Sequence, residues 1–426
     1  MPDRWWTAFG DSGLNREVGQ SLGGNYSLAA ALQRLRAAEA LTRREASDLL
    51  PDLNGFSEAE HVFRSNGPDS SLYALGLDAA YQVDLWGAIG SRVEAERLRS
   101  EATLADYHAV ALTVAAEVAA TWFSLIESHA QLELLNEQID ANRRMLDRQE
   151  FAFGVGQIAA PDLLRQRQLV ESTREQLVIV LARIDILEHQ LAVLQGRPPQ
   201  QARYDTGAVL PDLPPLPYTG VPADLVNRRP DVRRDYLLLQ AADRDLASAV
   251  SSQYPRLNLT GSLTTIAESP GELFQDWIGT IAKELVAPLF DGGQRRAEVD
   301  RTAAVARQRL SEYGDTVLLA FREVEDALAR EHYQIERIER LNAQLELASV
   351  ASASLDQRLV DGAGDTDFLD VLSATTEYQR LQRATLSARL DLVLNRISLY
   401  LALAGDFDTR PFGPGGVGYA EYGSDE

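Results

Sequence analysis

Two hydrophobic periodicities alternate along this chain, and the alternation occurs twice. Across residues 72–85 the odd positions are Tyr73, Leu75, Leu77, Ala79, Tyr81, Val83 and Leu85, while the even ones include Gly76, Asp78, Gln82 and Asp84. Successive side chains of a strand point to opposite faces, so this spacing predicts a strand with one apolar and one polar side. In the other half, Leu257, Leu259 and Leu263 against Asn258, Thr260, Ser262 and Thr264 predict a second such strand. Residues 277–290 predict another, with Trp277, Ile281, Leu285 and Leu289 on one face and Lys283 as the exception. Residues 53–64 complete a set of four as its weakest member. Several of these runs reach the roughly 9–11 residues that a tilted strand needs to cross a bilayer.

Between the strands the spacing turns helical. Val114, Val118, Leu125, Leu132, Leu135, Ile139 and Leu146 recur at three- and four-residue steps, as do Leu328, Ile335, Ile338, Leu341, Leu345, Ala348, Leu355 and Leu359. No proline interrupts either stretch before its closing glycines. Each therefore predicts one helix of roughly 60–70 residues, about 100 Å long at ~1.5 Å per residue. Globular helices average about 11–12 residues, so these do not belong to an ordinary compact domain. Gly154 and Gly156 end the first and Gly362 and Gly364 the second, and shorter helices return over 163–194 and 369–403. Two helical hairpins with heptad-like seams, suited to coiled-coil packing, are expected.

The two halves also match residue by residue. Leu85-Trp86-Gly87-Ala88 and Leu289-Phe290-Asp291-Gly292 each open a long helix. Ala116-Glu117-Val118 corresponds to Arg322-Glu323-Val324, and Gly156 with Asp162 corresponds to Gly364 with Asp370. The offset between the halves changes by only a few residues across these landmarks, which marks an internal repeat. The expected organisation is a first repeat over 1–196 (a helical segment, two strands, a helical hairpin) and a proline-rich linker over 197–222. A second repeat over 223–405 and a C-terminal tail over 406–426 follow. The linker carries seven prolines and reads as an extended segment.

Composition narrows the function. A net charge of −22, from 63 acidic and 41 basic residues, repels phosphate backbones and argues against nucleic-acid binding. No apolar run approaches the roughly 20 residues of a spanning helix, so membrane contact falls to strands or to a lipid. The chain has no cysteine, which removes disulfides, thiolate nucleophiles and thiolate metal sites together. His61, His108, His129, His189 and His332 lack metal-ligand spacing, and there is no phosphate-cradling loop or nucleophile elbow. No cofactor and no catalysis are expected. The first residues show no charged segment followed by an apolar run, so no leader peptide is expected within this sequence, and one would lie outside it if the protein is exported.

Strands with a lipid-compatible face span a membrane only as a closed barrel. Four strands per chain cannot close, since the smallest bacterial barrels have about eight. Two copies or three copies both satisfy this arithmetic. A soluble coiled-coil scaffold is the rival from another class, although it leaves four alternating strands at the helix ends unexplained.

The order strand, strand, long helix, turn, helix, given twice, resembles the outer-membrane efflux protein family typified by TolC, and its drug-efflux lipoprotein branch in particular. Five segments carry the resemblance, in order along nearly the whole chain: Tyr81-Gln82-Val83-Asp84-Leu85-Trp86-Gly87, Arg228-Arg229-Pro230-Asp231-Val232, Tyr254-Pro255-Arg256-Leu257-Asn258-Leu259-Thr260-Gly261, Pro288-Leu289-Phe290-Asp291-Gly292-Gly293, and Asp370-Val371-Leu372-Ser373-Ala374-Thr375-Thr376. The resemblance implies a homotrimer in the outer membrane of a Gram-negative bacterium. Its fold would be an α+β membrane protein with a shared twelve-stranded barrel and a periplasmic α-helical tunnel, in contact with outer-membrane lipid. It implies a periplasmic adaptor and an inner-membrane efflux pump as partners, and export of small molecules, with a channel for secreted proteins as the alternative. Members of that branch usually begin with a lipid-modified cysteine, so a lipid anchor here would have to lie outside this sequence.

Site residues follow from the resemblance. The helix turns would lie at the periplasmic end, where Asp162 and Asp370, repeated by three-fold symmetry, would form carboxylate rings at a gate. Where TolC has a tyrosine and an arginine near the second turn, this chain has Asp361 and Thr366, and Ser373 replaces a further carboxylate. A constriction built on Asp370, with Asp365 and Asp367 beside it, is expected in place of a salt-bridge lock. The turns at Gly154, Gly156 and Gln157 and at Gly362 and Gly364 would receive the adaptor. Each feature also has a plain structural reading. Asp367 and Asp370 suit a helix N-terminus, Asp162 follows Pro161 in a first turn, and glycine commonly ends helices. Tyr81, Trp86 and Trp277 are expected in interfacial aromatic belts, with core packing as the alternative.

Overall fold

A computed structural model of the chain describes residues 4–200, 202–217, 228–361 and 367–404. After a 3-10 turn, Trp5–Phe9, come helices α1 (Ser12–Gly24) and α2 (Tyr26–Ser47), strands β1 (Asp52–Val62) and β2 (Ser70–Val83), and helices α3 (Ala88–Gly154) and α4 (Ala160–Leu194). The second half gives α5 (Pro230–Ser251), β3 (Arg256–Ala267), β4 (Ile278–Val286), α6 (Gln294–Val360) and α7 (Phe368–Leu403). Helix, two strands, long helix and return helix thus occur in the same order in both halves. The two long helices, α3 and α6, have 67 residues each.

The chain folds as two units, each drawing on both halves of the sequence. One comprises Ala31–Tyr107 and Pro230–Leu318. It holds a four-stranded antiparallel sheet in the order β1-β2-β3-β4. Asp52 pairs with Ala80, Leu77 with Leu263, and Gly261 with Ile281. The register keeps odd-numbered residues on one face and even-numbered ones on the other. Beside the sheet, Leu98 and Ala102 of α3 pack on Leu237 and Ala241 of α5. Ser248 donates to the carbonyl of Ala88 at 2.8 Å and Ser251 to that of Trp86 at 2.9 Å.

Both long helices in this unit start from an aspartate. Asp84 accepts the N–H groups of Ile89 and Gly90 at 3.1 and 2.7 Å. Asp291 accepts those of Gly293 and Arg295 at 3.0 and 3.3 Å. These carboxylates satisfy N–H groups that lack partners at a helix start and favour the positive end of its dipole.

The other unit comprises Met1–Ala30, His108–Arg229 and Leu319–Glu426. Trp5 and Trp6 are buried, and Trp5 stacks on Tyr400 with ring centroids 5.5 Å apart. Asp11 caps α1 through the Leu14 N–H and takes the indole N–H of Trp122 at 2.8 Å. The proline-rich segment is held at several points in the described part, 202–217. Buried Glu188 accepts from Arg203 and from the Tyr204 backbone. Arg396 forms a two-pronged pair with Glu331, at 2.8 and 2.5 Å, and donates to the carbonyls of Pro214 and Pro215.

One expectation needs correction. A stretch of α3 is apolar enough by composition to cross a membrane, yet about two-thirds of it (67%) is buried inside the protein. It is the alanine- and valine-rich face of a core helix. Ala111, Ala115, Val118 and Ala119 have no exposed surface; small side chains let neighbouring elements pack closely there.

Candidate functional site

The tip of the first hairpin is built by a glycine cap. Gly156 has φ +79°, its N–H donates to Phe153 at 3.0 Å, and the Gln157 N–H reaches Ala152 at 2.9 Å. This pair of bonds is the Schellman arrangement, which needs a left-handed residue and so favours glycine. Gly154 is different. It lacks a positive φ, and a Cβ added there would meet nothing within 4 Å. The backbone therefore explains Gly156 and leaves Gly154 unexplained. Gln157 is exposed just beyond it.

Asp162 lies in the first turn of α4, after Pro161, and pairs with Arg165 at 3.2 Å. At the second tip, Asp367 is the N-cap of α7, and its N–H donates to the Asp370 carboxylate at 3.3 Å. Asp367 and Asp370 are both exposed. Gly362, Gly364, Asp365 and Thr366 lie outside the described residues. Asp361 accepts the Gln357 side-chain amide at 2.8 Å, and Ser373 is exposed.

Two features of the hairpins escaped sequence reasoning. First, Arg148 of α3 pairs with Asp356 of α6 at 3.3 Å. These residues are 208 positions apart, the offset that relates Asp162 to Asp370. The repeat expected from the sequence would make them equivalent positions, but only helices lying side by side make them partners. Second, a buried polar ladder runs along α3. Asn142 exchanges hydrogen bonds with Gln379 and donates to Thr173, and its carbonyl takes the Gln166 amide. Gln138 donates to the Gln379 carbonyl and to Gln382, and Gln131 to Glu127 and to the Arg383 carbonyl. Burial, with the nearby Arg380 charge, lowers the Arg383 pKa from its ordinary value. Polar residues at seam positions fix register where apolar ones would slide.

At the sheet, Tyr81, Val83, Leu257 and Leu285 lie at the helix-linked end. Trp86 is half exposed there, donates its indole N–H to the Pro255 carbonyl at 2.8 Å, and leans on Tyr254 with centroids 5.0 Å apart. Trp277 is exposed at the opposite end, just before β4. Aromatic side chains therefore mark both ends of the strands. The edges β1 and β4 have no partner strand on their outer sides among the described residues. Among those residues no group of His, Asp or Glu is placed to hold a metal ion.

The sequence model of a family described as outer membrane efflux protein matches residues 18–197 and 221–405. The pyoverdine export outer membrane protein OpmQ of Pseudomonas aeruginosa is 27% identical over 427 residues, covering 95% of this chain and 88% of that protein. The toluene efflux pump outer membrane protein TtgI of Pseudomonas putida is 29% identical over 415 residues, covering 93% and 86%. The solved structure of the outer-membrane channel OprN superposes with a TM-score of 0.90 at 28% identity, over 96% of this chain and 93% of that one.

Proposed function

We propose that this chain, which belongs to the outer membrane efflux protein family, is one subunit of a homotrimeric exit duct, working with a periplasmic adaptor and an inner-membrane pump. The chain is an outer-membrane protein of a Gram-negative bacterium. The observation that carries the proposal is the open sheet. Its odd-numbered face is mostly apolar, with Lys283 as its one formal charge, and among the described residues β1 and β4 present unpaired edges. Unpaired backbone groups in hydrocarbon cost several kcal/mol each, so the edges must close on other copies. Three copies give twelve strands and leave a lumen lined by the even-numbered face, with Asn54, Asp78, Gln82, Asn258 and Thr260. Two copies would give about eight strands, whose interior side chains fill.

The relatives handle pyoverdine and toluene, as their names state. Small solutes suit a duct of this kind, and the choice among them falls to the pump. At the hairpin tips, Asp370, Asp162 and Asp367 form the constriction; Asp365, outside the described residues, is assigned to it from the sequence. Gly154, Gly156 and Gln157, with Gly362 and Gly364, receive the adaptor. Support for docking comes from Gly154, whose missing side chain serves neither backbone strain nor packing within the chain.

Closure is tested by disulfides, because the chain has no cysteine of its own. Within one chain β1 and β4 are three strand spacings apart, about 14 Å at ~4.8 Å each, beyond disulfide reach. Asn54→Cys combined in turn with Ala282→Cys and Glu284→Cys should therefore give covalent trimers on a denaturing gel, together with conductance in planar bilayers. Monomer alone in every pairing would rule out the barrel. For the gate, Asp370→Asn removes the charge and keeps an acceptor for the Asp367 N–H. It should lower cation selectivity, and an unchanged selectivity would remove Asp370 from the constriction.

A further inference from the structure

Lys283 is the only lysine in the chain, among 41 basic residues. It lies in β4 on the odd-numbered face, between Ile281 and Leu285 of its own strand, opposite Leu259, which in turn is opposite Tyr81. All other Asp, Glu and Arg side chains of the four strands fall on the even-numbered face: Asp52, Glu58, Glu60, Asp78, Arg256 and Glu284. Lys283 is thus the single formal charge on the face assigned to lipid. It is exposed and has no ion pair among the described residues.

Its depth is also informative. Lys283 stands three residues before the end of β4 at Val286, the end from which all four strands join helices. Three residues of strand span about 10 Å, or roughly 8 Å of depth at a tilt of about 40°. A lysine lays its apolar stem along neighbouring side chains while its ammonium reaches towards the polar boundary. Leu285 offers such a surface below it, and the reach brings the ammonium near the level of the strand end. Tyr81 in the same cross-strand row marks the depth as interfacial. Elsewhere the chain uses arginine, whose flat fork suits paired carboxylates. Here it uses a compact point charge on a flexible stem. The anion within reach of a cation on a lipid-facing surface at that level is a lipid phosphate.

We propose that Lys283 is a headgroup site that binds the phosphate of an anionic glycerophospholipid in the leaflet on the helical side of the sheet. The proposal rests on the outward-facing assignment of the apolar face. An edge-strand lysine also discourages wrong edge pairing, but that role is blind to lipid charge, and the test uses this difference.

Purified protein would be placed in nanodiscs of phosphatidylcholine alone or mixed with phosphatidylglycerol, and acylation of Lys283 by an amine-reactive reagent followed by peptide mass spectrometry. Labelling should be about five-fold slower with phosphatidylglycerol, the factor corresponding to one surface-adjacent lysine on an anionic membrane. Lys283→Gln should retain less phosphatidylglycerol through a detergent wash than wild type, and Lys283→Arg should restore retention. Equal labelling rates in the two lipids overturn the site. So does carbodiimide coupling of Lys283 to a carboxylate of a neighbouring copy, which would make the partner protein. Conductance and trimer content are read on the same samples. A conducting trimer with lipid-independent labelling removes this site alone, whereas absence of a conducting trimer removes the barrel and this site with it.

Discussion

Asp291 holds the start of α6 with a carboxylate whose pKa is below the ordinary aspartate range, first because it accepts the Gly293 N–H, then through the N–H and guanidinium of Arg295. A carboxylate depressed in the folded state contributes stability above the unfolded-state pKa and loses it as pH falls through the folded value. Acidification from pH 6 to pH 3 should therefore speed amide exchange in the first turn of α6, after correction for intrinsic rates. Asp291→Asn should abolish that pH dependence while keeping the cap. A second residue-scale case is Arg396 with Glu331, each 3% exposed. Glu331→Gln leaves a buried guanidinium without its counter-charge, at a cost of about 3–5 kcal/mol. Urea unfolding in detergent should show that loss, and a Glu331→Leu, Arg396→Met double variant should lose less than the single one. Neither role is legible in the sequence. Asp291 stands there within the segment that opens the long helix, but which N–H groups its carboxylate takes depends on the chain turning at Gly292 and Gly293. The partners of Arg396 come from 65 and 181 or 182 positions away.

The hairpin elements were far more legible. A helix of roughly 60–70 residues per half follows from spacing and the absence of proline, and 67 residues form each time. The return helices begin at Ala160 and Phe368, within a few residues of the expected starts, because Pro161 and Asp367 announce them. The strand at 277–290 is shorter than its pattern, ending at Val286, since Pro288 cannot donate to a ladder. What the pattern hides is which helix covers which. The two tip glycines should separate in experiment for the same reason. Gly156→Ala places a side chain at φ +79° and should cost about 1–2 kcal/mol of local stability. Gly154→Ala should raise local stability by up to about 1 kcal/mol, while lowering adaptor cross-linking from a cysteine at Gln157 if docking occurs there. Hydrogen exchange over 150–158 reads the first effect, and cross-linking yield the second. The Arg148–Asp356 pair joins α3 to α6 near the tips, both partners partly exposed. Exposed pairs are worth about 1 kcal/mol or less, so Asp356→Asn alone should lower the subunit's stability by no more than about that amount, read by urea unfolding in detergent.

At the scale of the whole molecule, two helices of equal length meet different fates. The apolar face of α3 is covered by its own chain, with Leu125, Leu135 and Val118 fully buried. On α6 the seam residues Leu328, Ile338, Leu341, Leu345, Leu355 and Leu359 are partly buried, but on a second stripe Leu318, Tyr333, Leu347 and Val350 are all more than 60% exposed. The sequence assigns both helices the same kind of apolar seam; the exposed stripe of α6 stands outside that seam, and nothing in the sequence says whose side chains will cover it. In the proposed trimer an exposed apolar stripe of this length is an assembly surface. Burying a leucine or valine contributes about 1.5–3 kcal/mol, and three-fold symmetry repeats each contact three times. Leu347→Glu with Val350→Glu should therefore convert detergent-solubilised trimer to monomer, read by light scattering after size exclusion, with helix content by circular dichroism kept. The mirror experiment on α3, Leu125→Glu with Leu135→Glu, should unfold the subunit instead, because its burial is internal. A trimer that survives the α6 double variant would mean that this face meets the lumen or the adaptor. The barrel edges would then have to hold the subunits together alone.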